Sequence, residues 1–203
     1  MENIIRFLRA QNVPMEVRAV VPGAAPPVAA LPRNGTIINV NAPGNLTVTS
    51  PVKCGPIAAM GNWHTPPDLY VGMKDCVELG NYSQAADIFA LAGMESAFDS
   101  ERVTDPSAGQ ARQVLLMTIL DGMPPDKRTR LVDTVRAMHQ DPKTMADLCA
   151  RIGKIGYPSY FPEYMVMHGI RAFTGDPHAN ALNSHFDSAG SWTRLQDSYL
   201  NCP

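Results

Sequence analysis

The sequence predicts a mainly α-helical protein, with a multi-helix domain preceded by a proline-rich arm that carries a short β-hairpin. Three Asp-Pro pairs, at positions 105, 141 and 176, each place a side-chain acceptor at an N-cap and a proline at the first helical position. Apolar residues recur at helical spacing in the segments that follow. Ten of the 18 prolines lie within the first 67 residues. The chain therefore divides into an arm, residues 1–60, and a helical domain, residues 61–203.

The arm is predicted to be extended and only locally structured. The proline-rich tract 22–32 has little to bury and several fixed φ angles, which is typical of a linker. Alternating β-branched residues on both sides of an Asn/Pro/Gly turn predict a β-hairpin. A lone hairpin is marginal in water, so this one must dock on the body, pair with another chain or stay mobile. The predicted elements are a helix at 2–10, a strand at 15–21 and hairpin limbs at 36–40 and 46–49.

The body is predicted to consist of helices that begin at prolines. The Asp-Pro pairs and the proline pairs at 66–67 and 124–125 mark helix starts. Eleven methionines are expected to fill gaps in the core, although a Met-lined binding surface is a second use of this residue type. The predicted helices are 67–79, 83–97, 107–121, 125–139, 142–153, 162–174, 177–186 and 190–200.

Composition excludes some classes of protein. A formal net charge of -2 argues against general nucleic-acid binding, which normally uses a concentrated basic face. No apolar run is long enough for a transmembrane helix. Arg6 and Arg9 interrupt the apolar start of the chain, so no secretory signal peptide is visible.

The four cysteines indicate the compartment. None forms a Cys-x-x-Cys pair, so the usual spacing of a structural zinc site or redox motif is absent. An even count allows two disulfides with three connectivities, of which Cys54–Cys76 and Cys149–Cys202 are favoured over four reduced thiols. The expected location is periplasmic or secreted, and cytoplasmic if the thiols are reduced.

Residues 69–97 contain a pattern of a helical hairpin. Gly80 permits a left-handed helix end, and small residues at 85 and 92 allow close approach of a preceding helix. The spacing Gly80-x-Tyr82-x-x-Ala85-x-x-x-Phe89-x-x-Ala92 resembles the second half of a tetratricopeptide repeat. That resemblance implies a protein-binding scaffold, with Tyr82 and Phe89 as binding residues. Because no second copy is found, a solenoid is not expected, and an unrelated antiparallel helix pair is the alternative.

A second motif follows directly. Glu95-Ser96-Ala97-Phe98-Asp99, with Val103, Pro106, Ala108 and Gly109 behind it, resembles the signature of lysozyme-like lytic transglycosylases. The resemblance implies that Glu95 is a general acid whose pKa an apolar pocket raises. The sequence departs from that family at 110–113 and lacks its downstream Ala-Tyr-Asn-Ala-Gly segment. The alternative interpretation is that Glu95 and Asp99 are solvated residues at a helix end and that no residue is catalytic.

Other candidate sites are less complete. His178 and His185 are seven positions apart and would share a helix face, but no metal-binding pair such as His-x-x-x-His is present, so neither a metal nor a cofactor is predicted. Aromatic residues around Pro158 and Pro162 can contribute to an interface or pack a loop onto the core. These predicted binding residues are Tyr157, Tyr160, Phe161 and Tyr164.

The function predicted from these observations is protein–protein interaction, by an exported inhibitor, immunity-type protein or assembly adaptor. Its partner is another protein, and the arm is a candidate for homo-oligomerisation; neither nucleic acid nor a membrane span is expected. The alternative is a divergent peptidoglycan lytic transglycosylase that acts through Glu95. A cleft around Glu95 with a perturbed pKa favours the enzyme, whereas an exposed Glu95 and an apolar patch favour the interaction module.

Overall fold

The computed structural model describes residues 42–202, and this part of the chain is mainly helical, as predicted. Short 3₁₀ turns lie at Ile57–Ala59 and Pro106–Gln110, and a π-helical turn at Gln196–Leu200 extends the last helix. The α-helices are α1 (Pro66–Glu78), α2 (Tyr82–Arg102), α3 (Ala111–Asp121), α4 (Pro125–Gln140), α5 (Pro142–Ile155), α6 (Glu163–Val166), α7 (Arg171–Thr174) and α8 (Ser188–Leu195).

Helix α2 is the centre of the domain. Every residue from Ala85 to Asp99 is buried, because α1, α3, α4 and α8 all pack against this helix. A helix that is covered on all sides normally has apolar residues all round. Here alanines and larger apolar residues fill most positions, yet Glu95 and Asp99 are enclosed with them. The two carboxyl groups are therefore part of the core.

Helices α1 and α2 form the hairpin that the sequence predicts. Gly80 has a φ of 78°, the left-handed conformation that glycine adopts without steric cost, and Asn81 N–H donates to the carbonyl of Cys76 over 2.8 Å. Ala85, Phe89 and Ala92 are all buried. The antiparallel pair is therefore confirmed, whereas its kinship with tetratricopeptide repeats stays a prediction.

Residues 42–60, which belong to the predicted arm, lie on the helical body. Val52, Ile57 and Met60 are buried in its core, and the amide of Leu46 donates to the carbonyl of Tyr164 over 3.1 Å. Residues 46–49, the second limb of the predicted β-hairpin, are described by the structure and are not part of a β-strand. The first limb and the predicted helix, strand and linker at 2–10, 15–21 and 22–32 lie outside the described residues.

Two disulfides, Cys54–Cys76 and Cys149–Cys202, connect the chain as predicted. The first ties the 42–60 segment to α1, and the second ties α5 to the end of the described chain. Closing loops with sequence separations of 22 and 53 residues stabilises the fold by about 3 and about 4 kcal/mol in the chain-entropy model. No helix within residues 42–202 combines the length and apolar character needed to cross a bilayer.

Two helix predictions are wrong. Segment 177–186 forms turns, because the Asp176 carboxylate accepts the amide of His178 in a local turn and Asn180 has a φ of 52°, which ends helical propagation. Segment 162–174 is split into α6 and α7 around Gly169, where the Asp105 carboxylate packs so closely that a Cβ would lie 2.4 Å from it. Asp141, by contrast, caps α5 as predicted by accepting the amides of Lys143 and Thr144.

Candidate functional site

Glu95 and Asp99 lie one turn apart on the same face of α2, and both are wholly buried. The interpretation of these residues as solvated positions at a helix end is therefore wrong, as is the expectation of an exposed Glu95. Helix α2 continues to Arg102 rather than ending near 97, so the two carboxyls fall inside it. The loop before α6 and α6 itself cover this face through Tyr160 and Tyr164.

Asp99 is the centre of a hydrogen-bond network. Its Oδ1 accepts from Nε of Arg102 over 2.8 Å, and its Oδ2 accepts from the hydroxyls of Tyr160 over 3.0 Å and Tyr164 over 2.8 Å. The Arg102 guanidinium also donates to the Tyr160 carbonyl and lies over the rings of Phe98 and Tyr160, 5.1 and 5.2 Å from their centroids. A buried carboxylate is stable when it is paired and hydrogen-bonded in this way.

Glu95 has far fewer partners. Its Oε2 is 3.5 Å from the Tyr160 hydroxyl, and its Oε1 has no hydrogen-bond partner among the described residues. Burial raises the pKa of Glu95 well above its ordinary range, and the neighbouring charge of Asp99 raises it further. Burial also raises the pKa of Asp99, but Arg102 and the phenol donors oppose that effect. Burial therefore favours the neutral form of Glu95, while the hydrogen-bond donors around Asp99 favour the ionised form of that carboxyl.

The predicted aromatic binding residues separate into buried and exposed groups. Phe89 and Tyr164 are buried in the core, while Tyr82 and Tyr160 are partly buried. Tyr157 and Phe161 expose 44% and 43% of their surface. Tyr160 of the loop and Tyr164 of α6 thus pack onto α2, while Tyr157 and Phe161 are exposed to solvent, and their use in an interface stays a prediction.

Trp63 is the aromatic residue that the sequence analysis missed, and 63% of its surface is exposed. Its ring packs against Gly61, where an added Cβ would be 1.9 Å from a ring carbon. The adjacent Asn62 donates from Nδ2 to the carbonyl of Tyr157 over 2.9 Å, and Ser159 N–H donates to the Asn62 carbonyl over 2.9 Å. Trp63 and Tyr157 are therefore held on two loops that are hydrogen-bonded to each other. The sequence did contain a signal for an exposed aromatic residue, because this tryptophan lies in a Gly- and Pro-rich segment without helical periodicity.

A groove of about 410 Å³ borders Trp63. Residues 58–62 form one wall, and Arg151, Lys154 and Ile155 from α5 form the other. Arg151 is paired with the Asp87 carboxylate, whereas Lys154 is exposed. We call this region, comprising Trp63, Tyr157 and the groove with Arg151 and Lys154, the Trp63 surface.

The histidines do not assemble into a metal site. His178 and His185 share no helix face because their segment forms turns, and His178 Nε2 lies 2.9 Å from the Glu163 carboxylate. Within residues 42–202 no group of three potential ligands among His, Cys, Asp and Glu is arranged to hold a metal ion.

No protein-family model, curated protein or solved structure matches this chain. Functional conclusions therefore depend on the residues of this chain and their geometry.

Proposed function

We propose that the protein is a small helical interaction module, active in an oxidising compartment, that binds a segment of another protein through the Trp63 surface. The observation that carries this proposal is the exposure of Trp63. Tryptophan and tyrosine are, with arginine, enriched among the few residues that dominate the binding energy of protein interfaces, and truncating such a dominant residue costs about 2 kcal/mol or more.

The contacts that hold the Trp63 side chain in place support a binding role. A side chain that is already held in one orientation loses little conformational entropy when it binds, which favours affinity. Packing of the ring on Gly61 and the hydrogen bonds between Asn62, Tyr157 and Ser159 provide this pre-organisation. The exposed ring is thus oriented by the fold before any partner arrives.

The charge of the groove indicates the chemistry of the partner. Lys154 is the exposed cation of the groove, Arg151 is already paired with Asp87, and no carboxylate is among the described residues that line the groove. An exposed lysine beside an aromatic side chain is complementary to an acidic segment that carries an apolar residue. We therefore assign the surface to an acidic peptide segment of a partner protein.

The two disulfides support an exported location. Disulfides persist in oxidising compartments such as the periplasm and the extracellular space and are rare in the cytosol. An inhibitor, an immunity-type protein or an assembly adaptor in such a compartment would act by binding alone.

Site-specific photo-crosslinking in the source cells tests this proposal. A photoreactive phenylalanine replaces Trp63 in one variant and Leu79, an exposed apolar residue of the α1–α2 connection, in a matched control. We expect a defined adduct from position 63 and not from position 79, and its loss when Lys154→Glu is added. Absence of a position-63 adduct contradicts the proposal, and an adduct of twice the chain mass identifies a second copy as the partner.

The second candidate function is glycosidic bond cleavage through Glu95. The raised pKa of its carboxyl and the neighbouring Asp99 favour this role, because a general acid must hold its proton near neutral pH. Glu95 has no exposed surface, so substrate access requires that the loop carrying Tyr160 moves away.

Release of soluble fragments from purified peptidoglycan tests this second candidate. A lytic enzyme releases fragments with the wild-type protein and none with Glu95→Gln, while Glu78→Gln, which changes an exposed carboxylate, retains full activity. Equal release by all three proteins, or no release by any of them, excludes catalysis by Glu95.

A further inference from the structure

A second concave site lies where α1, α2, α3 and the π-helical turn at Gln196–Leu200 meet. Its volume is about 470 Å³, which is within the range of small-molecule sites. Tyr70 of α1 and Tyr199 of the π-helical turn face it, together with Ser96 of α2 and Arg112 of α3. The exposed side chains of Gln110 and Gln113 stand at its rim, so the site opens to solvent. We call it the Arg112 pocket.

The charge of this pocket is positive and uncompensated. Arg112 is partly buried, and the ion pairs formed within residues 42–202 do not include it. None of the described residues that line the pocket is acidic. The guanidinium lies over the ring of Tyr199, 5.6 Å from its centroid. This contact orients the guanidinium while leaving its donors available to a ligand.

Two phenol hydroxyls add donors to the same space. The Tyr199 hydroxyl approaches α2 so closely that a Cβ on Gly93 would lie 2.2 Å from its oxygen. Glycine at position 93 therefore allows this hydroxyl to reach the pocket wall. Burial raises the pKa values of Tyr70 and Tyr199, so both hydroxyls keep their protons and remain donors across the physiological pH range.

We propose that the Arg112 pocket binds a small organic carboxylate. Arg112 pairs with the carboxylate through the planar geometry that a guanidinium shares with it, and the tyrosine hydroxyls and glutamine amides donate to its oxygens. Leu116, Pro106 and the tyrosine rings contact an apolar body attached to the carboxylate. A single guanidinium matches the single charge of a carboxylate better than the higher charge of a phosphate monoester.

This pocket is independent of the Trp63 surface, because the two share no lining residue. The proposal for this pocket is therefore tested separately from the proposal for Trp63. Carboxylate binding also differs from glycosidase chemistry, since Glu95 is absent from the lining of the pocket.

Calorimetry with hydrocinnamate and its uncharged amide tests the proposal on the full-length oxidised protein. The two probes have the same shape, so their difference in affinity reports the carboxylate alone. We expect hydrocinnamate to bind at least about tenfold more tightly than the amide, which corresponds to about 1.4 kcal/mol. Equal affinities, or no heat of binding with hydrocinnamate, overturn the proposal.

Variants assign the binding to this pocket. Arg112→Gln is expected to abolish the preference for the acid, whereas Arg130→Gln on the exposed face of α4 leaves it unchanged. Tyr199→Phe keeps the ring that supports Arg112 and removes one donor, and we expect a several-fold loss of affinity. Hydrocinnamate should shift the side-chain amide resonances of Gln110 and Gln113. Unchanged binding in Arg112→Gln and Tyr199→Phe, or displacement of hydrocinnamate by an equal concentration of inorganic phosphate, contradicts the assignment.

Discussion

The buried Glu95 carboxyl makes a specific prediction about the pH dependence of stability. In the unfolded chain this group titrates near its ordinary pKa of 4.5, whereas burial holds its pKa well above that value in the folded protein. Between these two pKa values the folded state binds one more proton than the unfolded state. The folded state therefore loses stability as pH rises through that interval, and the loss stops once pH exceeds the folded pKa.

Glu95→Gln replaces the carboxyl with a neutral group of the same shape and removes this titration. One proton corresponds to a slope of about 1.4 kcal/mol per pH unit. The stability of the variant relative to wild type should therefore rise by up to about 1.4 kcal/mol for each pH unit above 4.5. Any cost of burying the glutamine amide is independent of pH and shifts the whole curve without changing its slope.

Denaturant unfolding of both proteins from about pH 5 to about pH 8 measures this difference directly. Glu78→Gln is the matched control, because it changes an exposed glutamate that pairs with Lys127 on the surface. If the curves of wild type and Glu95→Gln run parallel, burial does not raise the pKa of Glu95 in the folded state and the reasoning is refuted.

Three further predictions concern the free energy of unfolding. Asp99→Asn leaves Arg102 buried without a carboxylate and should cost about 3–5 kcal/mol of unfolding free energy, while adding Arg102→Met should recover part of that loss in denaturant unfolding. Gly93→Ala forces the Tyr199 hydroxyl away from α2 and should cost about 1–3 kcal/mol, less in a Tyr199→Phe background, as a double-mutant cycle would detect. Cys202→Ser opens the second disulfide and should cost about 2–5 kcal/mol, and reductant, which opens both disulfides, should lower the melting temperature of wild type below that of the oxidised variant.

Local signals explain which parts of the fold could be predicted from the sequence. Helix α5 begins where Asp141-Pro142 predicts it, because capping and the missing proline donor act within one turn. The same dipeptide at 176–177 does not begin a helix. Asp176 accepts a hydrogen bond only within a turn, and Asn180, which has a left-handed backbone conformation, follows three residues after the proline. A cap favours a helix start, but it cannot supply the packing that keeps a helix formed.

The candidate site was harder to predict, because burial is a tertiary property. The spacing of Glu95, Asp99 and Arg102 places them on one face of a helix, which is compatible with a solvated surface as well as with a buried network. Whether the face is a solvated surface or a buried network depends on the packing of the 156–162 loop and α6 over it. The available signal of a network was the i, i+3 spacing of opposite charges at Asp99 and Arg102, with Glu95 one turn before them.

The order of the disulfides along the chain has a consequence for biogenesis. Each bridge joins neighbouring cysteines in sequence, Cys54 with Cys76 and Cys149 with Cys202. A chain that enters an oxidising compartment from its N-terminus exposes the first two thiols before the last two. An oxidase that pairs thiols as they emerge then forms the native bridges directly. For the exported location proposed above, maturation is expected to need a thiol oxidase but no disulfide isomerase to correct mispaired intermediates.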